Sequence, residues 1–191
     1  ACALALVCGV LLVSLPREGA LPETQLRGAG SANQPGVLVG LELTAVSQEP
    51  AGAPAVRRLA DGDTARLDEY LQLRYRVHGQ GTGFLYLFGL DARLRPLDYY
   101  PRPSASRSIS IQEALSPRSV GRSIRLSKRH QVGPLWVVAL FSPRPLERAE
   151  VHTRLGQLAV RGFSPAALNQ EAVGPDVVAV VRTIQLVGAR Q

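Results

Sequence analysis

Residues 69–77 read "EYLQLRYRV", and their apolar side chains fall at every second position. Leu71, Leu73, Tyr75 and Val77 lie on one side, and Tyr70, Gln72, Arg74 and Arg76 on the other. Side chains along an extended chain point alternately to opposite faces, so this stretch is a strand with one face in a core and one in water. A few residues later, "FLYLF" (84–88) is apolar at both parities: Phe84, Tyr86 and Phe88 share one face, Leu85 and Leu87 the other. Such a strand must be covered on both sides. These two patterns point to a β architecture with 84–88 as a central strand covered on each side.

The stretch 81–103 holds five of the chain's ten aromatic side chains, Phe84, Tyr86, Phe88, Tyr99 and Tyr100. Parity assigns the first three to the inside of a sheet. Tyr99 and Tyr100 precede Pro101, where the chain leaves the sheet because proline cannot donate a ladder hydrogen bond. They are expected at a rim and are the two rings placed to meet a ligand.

Other segments fall in with this reading. "GVLVGLELTAV" (36–46) alternates as a first strand, "LADGDTA" (59–65) has the Asp and Gly residues of a turn, and the glycine-rich "HGQGTG" (78–83) is expected to join 69–77 and 84–90 as a hairpin. "VGRSIRLS" (120–127) is a further strand candidate. "GPLWVVALFS" (133–142) has the length and β-branched content of a core strand, with Trp136 expected inside, and "DVVAVVRTIQLVG" (176–188) closes the domain as another. Between these two, Pro143 and Pro145 suit the first turn of a helix. Val151, Leu155, Leu158 and Ala159 make its apolar stripe, and Gly162 its stop. About eight strands and one late helix, punctuated by Pro and Gly, point to an antiparallel β-sandwich.

The first fifteen residues, "ACALALVCGVLLVSL", carry no charge. As a helix they span about 22 Å, short of the roughly 30 Å hydrocarbon core of a bilayer. They therefore read as a truncated transmembrane helix or as the apolar region of a signal peptide; "SLPREGALPE" offers no small-residue cleavage site, which favours the anchor. The chain has no methionine and starts at Ala1, so a segment upstream is expected to have been removed. Residues 16–35, rich in Pro, Gly and Ala, form a linker, and 36–191 the globular domain, expected outside the cytoplasm of a single-pass protein. The two cysteines, Cys2 and Cys8, both fall in the apolar run, so the domain has neither a disulfide framework nor a cysteine zinc site.

No motif of catalysis emerges. "HGQGTGF" lacks the Lys-Ser/Thr of a phosphate loop, there is no Gly-x-Ser-x-Gly, and Asp61 and Asp63 have turn spacing without the remaining ligands of a calcium loop. His78, His130 and His152, in a turn, a basic loop and a helix, lack metal-ligand spacing and read as surface histidines. No cofactor is implied. The formal charge of +7 comes from 22 cations, of which Lys128 is the one lysine; arginine in such excess, alongside abundant Ala, Gly and Pro, reflects GC-rich codons and weakens a nucleic-acid reading. One basic run stands out, "RSVGRSIRLSKRH" (118–130), with Arg118, Arg122, Arg125, Lys128 and Arg129 and no acid. Together with Tyr99 and Tyr100 these are the candidate contacts for a ligand or an anionic envelope component; the competing reading is an edge strand guarded by its charges.

The segments "RRLADGDTARLDEYLQLRYRV", "GFLYLFGLDARLRPLDYYP" and "RSIRLSKRHQVGPLWVVALFSPRPLERAEV", in that order, resemble an uncharacterised β-domain of bacterial envelope proteins, one that follows the single transmembrane helix of anti-sigma-factor-like proteins. The resemblance covers about residues 36–187. It rests on Gly62-Asp63 before a strand, the "FLYLF" strand ending at Asp91, the Tyr100-Pro101 exit, and "LWVVALFSPRPL" leading to a helix. It implies a membrane-anchored sensory or interaction domain with an envelope protein as partner, and it carries over no catalytic residue. The chain departs from the pattern in having "SKRHQVG" where an acidic turn is expected and Ala92-Arg93 after Asp91.

Overall fold

The computed structural model describes residues 37–189 except 49–52, 80–81, 103, 128, 163, 166–167, 169–172 and 175. The apolar leader, the linker and Lys128 lie outside the described residues. Within them the chain forms β1 (Leu38–Ser47), β2 (Ala55–Leu59), β3 (Thr64–Arg66), β4 (Tyr70–His78), β5 (Phe84–Leu90), β6 (Pro96–Tyr100), β7 (Ile109–Ser110), β8 (Ala114–Ser119), β9 (Ile124–Arg125), β10 (Gly133–Ser142), α1 (Arg148–Val160) and β11 (Val178–Val187).

The strands make two sheets. The first has the order β2-β1-β4-β8, with β9 also paired to β4, and every pair in it is antiparallel. The second has the order β3-β11-β10-β5-β6, with β7 also on β5. Its pairs are antiparallel apart from β3 with β11, which run parallel.

The alternation in β4 builds the space between the sheets. Leu71, Leu73, Tyr75 and Val77 are buried, and the register sets Leu73 opposite Leu43 of β1, which in turn faces Leu59 of β2. Leu85 and Leu87 of β5, Leu135, Val137, Ala139 and Phe141 of β10, and Val180, Ile184 and Leu186 of β11 meet them from the second sheet. Each Val, Leu, Ile or Phe among them contributes about 1.5–3 kcal/mol when withdrawn from water. The other face of the second sheet carries Tyr86, Phe88, Leu90, Val138 and Leu140. Val151 and Leu155 of α1 cover it, joined by Leu168, Val173 and Val177 from the segment that follows. The molecule is thus layered sheet, sheet, helix, and β5 is buried at both parities because it belongs to the middle layer.

That layering overturns the hairpin expected between 69–77 and 84–90. β4 pairs with β1, β8 and β9, whereas β5 pairs with β10, β6 and β7. The two strands cannot share a sheet without exposing rings or burying guanidinium groups, since the outer side chains of β4 are Gln72, Arg74 and Arg76 while those of β5 are Tyr86 and Phe88. The connection therefore crosses from one sheet to the other. Three smaller expectations also change. Trp136 is half-buried against the helix-side core. Pro143 and Pro145 precede the helix, whose first residue is Arg148. Its buried stripe is Val151 and Leu155, with Leu158 half-buried and Ala159 exposed. Gly162 does end it, with φ 70° and its N–H on the Ala159 carbonyl.

The "ADGD" turn shows what its aspartates do. Asp63 accepts the Ala60 N–H at 2.8 Å, and Asp61 accepts the Thr183 N–H at 3.0 Å and the Arg182 guanidinium at 2.9 Å. Arg182 shares its parity on β11 with Val180, Ile184 and Leu186, and its Nε donates to the Leu41 carbonyl of β1 at 3.1 Å. One arginine therefore links the two sheets and the turn.

Candidate functional site

Of the two tyrosines expected at a rim, Tyr99 is inside the sandwich, 8% exposed. The reason is a slip in register: Leu87 lies opposite Tyr100, yet Phe88 lies opposite Asp98, so Tyr99 is the extra residue of a bulge and its ring turns into the core. Gly89 makes room for it, because a Cβ there would sit 2.4 Å from the Tyr99 hydroxyl. That hydroxyl lies 3.1 Å from Nε2 of His130, with the two rings stacked at 6.0 Å. The Ser127 N–H donates to Nδ1 of the same imidazole at 3.4 Å, which leaves the proton of the neutral ring on Nε2, directed to the Tyr99 oxygen. Burial raises the Tyr99 phenol far above its ordinary range and holds His130 below the histidine range, the Arg129 charge acting on His130 in the same direction. His130 is 7% exposed and is not the surface histidine expected from its basic loop.

Tyr100 is at the rim. It is half-buried, its hydroxyl donates to the Arg122 carbonyl, and its ring passes over Gly121. Arg118 lies on β8 and reaches Gln112 Oε1 at 2.9 Å; Arg125 lies on β9; Arg129 is exposed beside His130. The structure thus brings Tyr100 to Arg122 and Tyr99 to the neighbour of Arg129, one ring at the rim and one in the core. Arg118 and Arg125 belong to β8 and β9, at the edge of the first sheet where Pro117 also sits. Charges and a proline on an edge discourage pairing with another chain.

The densest polar constellation is one that sequence reasoning missed. Asp98 of β6 accepts the Tyr86 hydroxyl at 2.7 Å and His152 Nε2 at 2.9 Å through one oxygen, while its other oxygen lies 3.2 Å from Arg148 Nε. Arg148 also donates to the Arg102 carbonyl at 2.6 Å. Tyr86 comes from β5, and Arg148 and His152 are one turn apart on α1, so three elements converge on a single carboxylate. Burial, then the hydrogen bond to Asp98, pushes the Tyr86 phenol well above its usual range, so the hydroxyl stays a donor. An Asp–His pair invites a general-base reading, in which Nε2 keeps its proton toward the carboxylate and Nδ1 would be the base, but this carboxylate is shared with Tyr86 and Arg148 as well. Both Asp98 oxygens are occupied, and the arrangement pins α1 onto the second sheet. The visible signal was the Arg-x-x-x-His spacing, which sets two side chains with N–H groups on one helical face; their acceptor, 50 residues before Arg148 in β6, could not be read from it.

Asp91 is a second buried carboxylate, 2% exposed. It closes the β5–β6 turn by accepting the Arg93 and Arg95 N–H groups at 2.9 and 3.0 Å and the Arg95 guanidinium at 2.8 Å. Burial alone would raise its pKa; the Arg95 contacts outweigh this and hold it below the ordinary aspartate range. Among the described residues no three His, Cys, Asp or Glu side chains are grouped to hold a metal ion, and no helix is long and apolar enough to cross a membrane. Comparison of the chain with family models, curated proteins and solved structures finds no match.

Proposed function

We propose that this chain is a non-catalytic, membrane-anchored sensory or interaction domain that stands outside the cytoplasm, the outer part of an anti-sigma-factor-like regulator. The observation that carries the proposal is how the domain uses its rings and buried titratable groups. Tyr86, Phe88 and Tyr99 are enclosed between layers, and Asp98, His152 and His130 bond to neighbouring elements of the scaffold. The groups a substrate cleft would draw on are holding the fold together. The alternative reading of the two tyrosines, an envelope enzyme with a cleft near Tyr99 and Tyr100, is disfavoured by the burial of Tyr99. The leader and linker supply the anchor and the tether, and the order of segments resembling the envelope β-domain supplies the signalling context.

Expressing the complete gene with a C-terminal epitope tests this. The protein should sediment with membranes, and protease added to intact spheroplasts should remove the domain. Digestion that needs lysis would place the domain inside and sink the proposal. Release by osmotic shock would replace the anchor with a cleaved signal peptide and leave a periplasmic or secreted binding protein.

A further inference from the structure

Among the described residues, the outer face of the first sheet combines arginines with exposed aliphatic side chains. Its rows follow from the registers. Val56, Val46, Tyr70 and Arg125 lie side by side across β2, β1, β4 and β9. Arg58, Thr44 and Gln72 form the next row, then Glu42, Arg74 and Ser119, then Gly40 and Arg76, then Leu38 and His78. These positions have the parity opposite to the core residues Leu43, Leu59 and Leu73, and no described element packs on them. Glu42 is the one acid in the rows, and it already pairs with both Arg58, at 3.2 Å, and Arg76. Arg74 and Arg125 have no ion pair among the described residues and are exposed. Exposed aliphatic side chains accompany them, Val56 at 66% and Leu38 at 57%.

We propose that this face docks on the bilayer, taking anionic phospholipid headgroups against its arginines. The inference rests on the reading of the leader as a membrane anchor. Four arginines against Glu42, and Glu113 held beside His78, leave a surplus of positive charge, and Tyr70, Leu38 and Val56 add ring and aliphatic surface suited to the headgroup boundary. The chain order favours the encounter: residues 16–35 join the apolar leader to the domain just ahead of β1, whose first residue, Leu38, belongs to the face. Mobile headgroups can arrange themselves under guanidinium groups spread over four rows, whereas a folded acidic partner needs carboxylates at matching fixed positions.

The test uses the full chain and flotation with vesicles of phosphatidylcholine alone or mixed with phosphatidylglycerol. Phosphatidylglycerol should strengthen partitioning of the unmodified chain, and R74Q/R125Q should lose about tenfold of that gain. R93Q/R161Q, which removes the same charge from the β5–β6 turn and the end of α1, should lose none. Equal losses in both variants would reduce the effect to net charge and overturn the proposal. So would a variant that still binds the mixed vesicles but no longer binds soluble polyglutamate, which would make the face a site for an acidic protein. Partitioning onto phosphatidylcholine alone reports the leader; its failure would remove the anchor reading while leaving the phosphatidylglycerol gain to judge the face. Thermal unfolding checks that both variants fold. If R74Q/R125Q does not, high salt on the unmodified chain must abolish the gain and spare binding to phosphatidylcholine, and a salt-insensitive gain overturns the docking face.

Discussion

His130 and Tyr99 show how a side chain of ordinary surface chemistry becomes a core component. The imidazole is enclosed, stacked on a phenol and bonded at both nitrogens, and burial keeps it neutral. Its pKa is lower in the folded chain than the value of about 6.5 expected when unfolded. Below that value the unfolded chain binds a proton that the folded chain refuses, so this residue's contribution to stability is complete above about pH 6.5 and declines as the pH falls. Urea midpoints for the unmodified chain should drop between neutral and mildly acidic pH, and in His130→Gln the drop should be smaller, with a lower midpoint at neutral pH because the fit to Tyr99 is lost. An identical pH slope in the variant would show that His130 titrates alike in both states.

Among elements, β5 and α1 are joined by more than apolar contact. Removing the carboxylate in Asp98→Ala strands a buried tyrosine hydroxyl and the Arg148 and His152 side chains of α1, and should cost about 2–4 kcal/mol. Tyr86→Phe should cost about 1 kcal/mol. The double variant should lose less than the sum, because the second change removes the donor left unpaired by the first; strict additivity in urea unfolding would mean that the three elements are not coupled through Asp98. The same elements mark what was legible beforehand. Parity in "EYLQLRYRV" and "FLYLF" gave the faces of β4 and β5 correctly, since period-two burial is a local property. It could not give their neighbours: which strands pair depends on the environment of the outer face, and the polar outside of β4 against the ring-bearing outside of β5 was the clue that they part. The placement of Tyr99 failed for a related reason, because a bulge changes parity within one strand without changing its composition. The Asp98 cluster draws on β5, β6 and α1, and no spacing within any one of them encodes the meeting.

For the whole molecule, the middle sheet decides whether the layers are one unit. Its inner face completes the sandwich core and its outer face completes the helix-side core, through alternate residues of the same strands. The last strand, β11, lies between β10 and β3, pairs with β3 through Gln185 opposite Thr64, and reaches β1 through Arg182. Early and late parts of the domain therefore stabilise each other, and losing α1 would expose Tyr86, Phe88, Val138 and Leu140 on strands that also hold the sandwich. Such sharing predicts a single cooperative transition. Trp136 is the chain's one tryptophan and packs on the helix side, so its fluorescence reports that layer, while far-UV circular dichroism is dominated by the strands. The two signals should share one urea midpoint. Leu155→Ala on the helix side and Leu43→Ala between the sheets should each lower it for both probes, by an amount equivalent to about 2–4 kcal/mol. A Trp136 transition that precedes loss of strand signal, and that moves with Leu155→Ala but not with Leu43→Ala, would make the helix a separable cover over an independently stable sandwich.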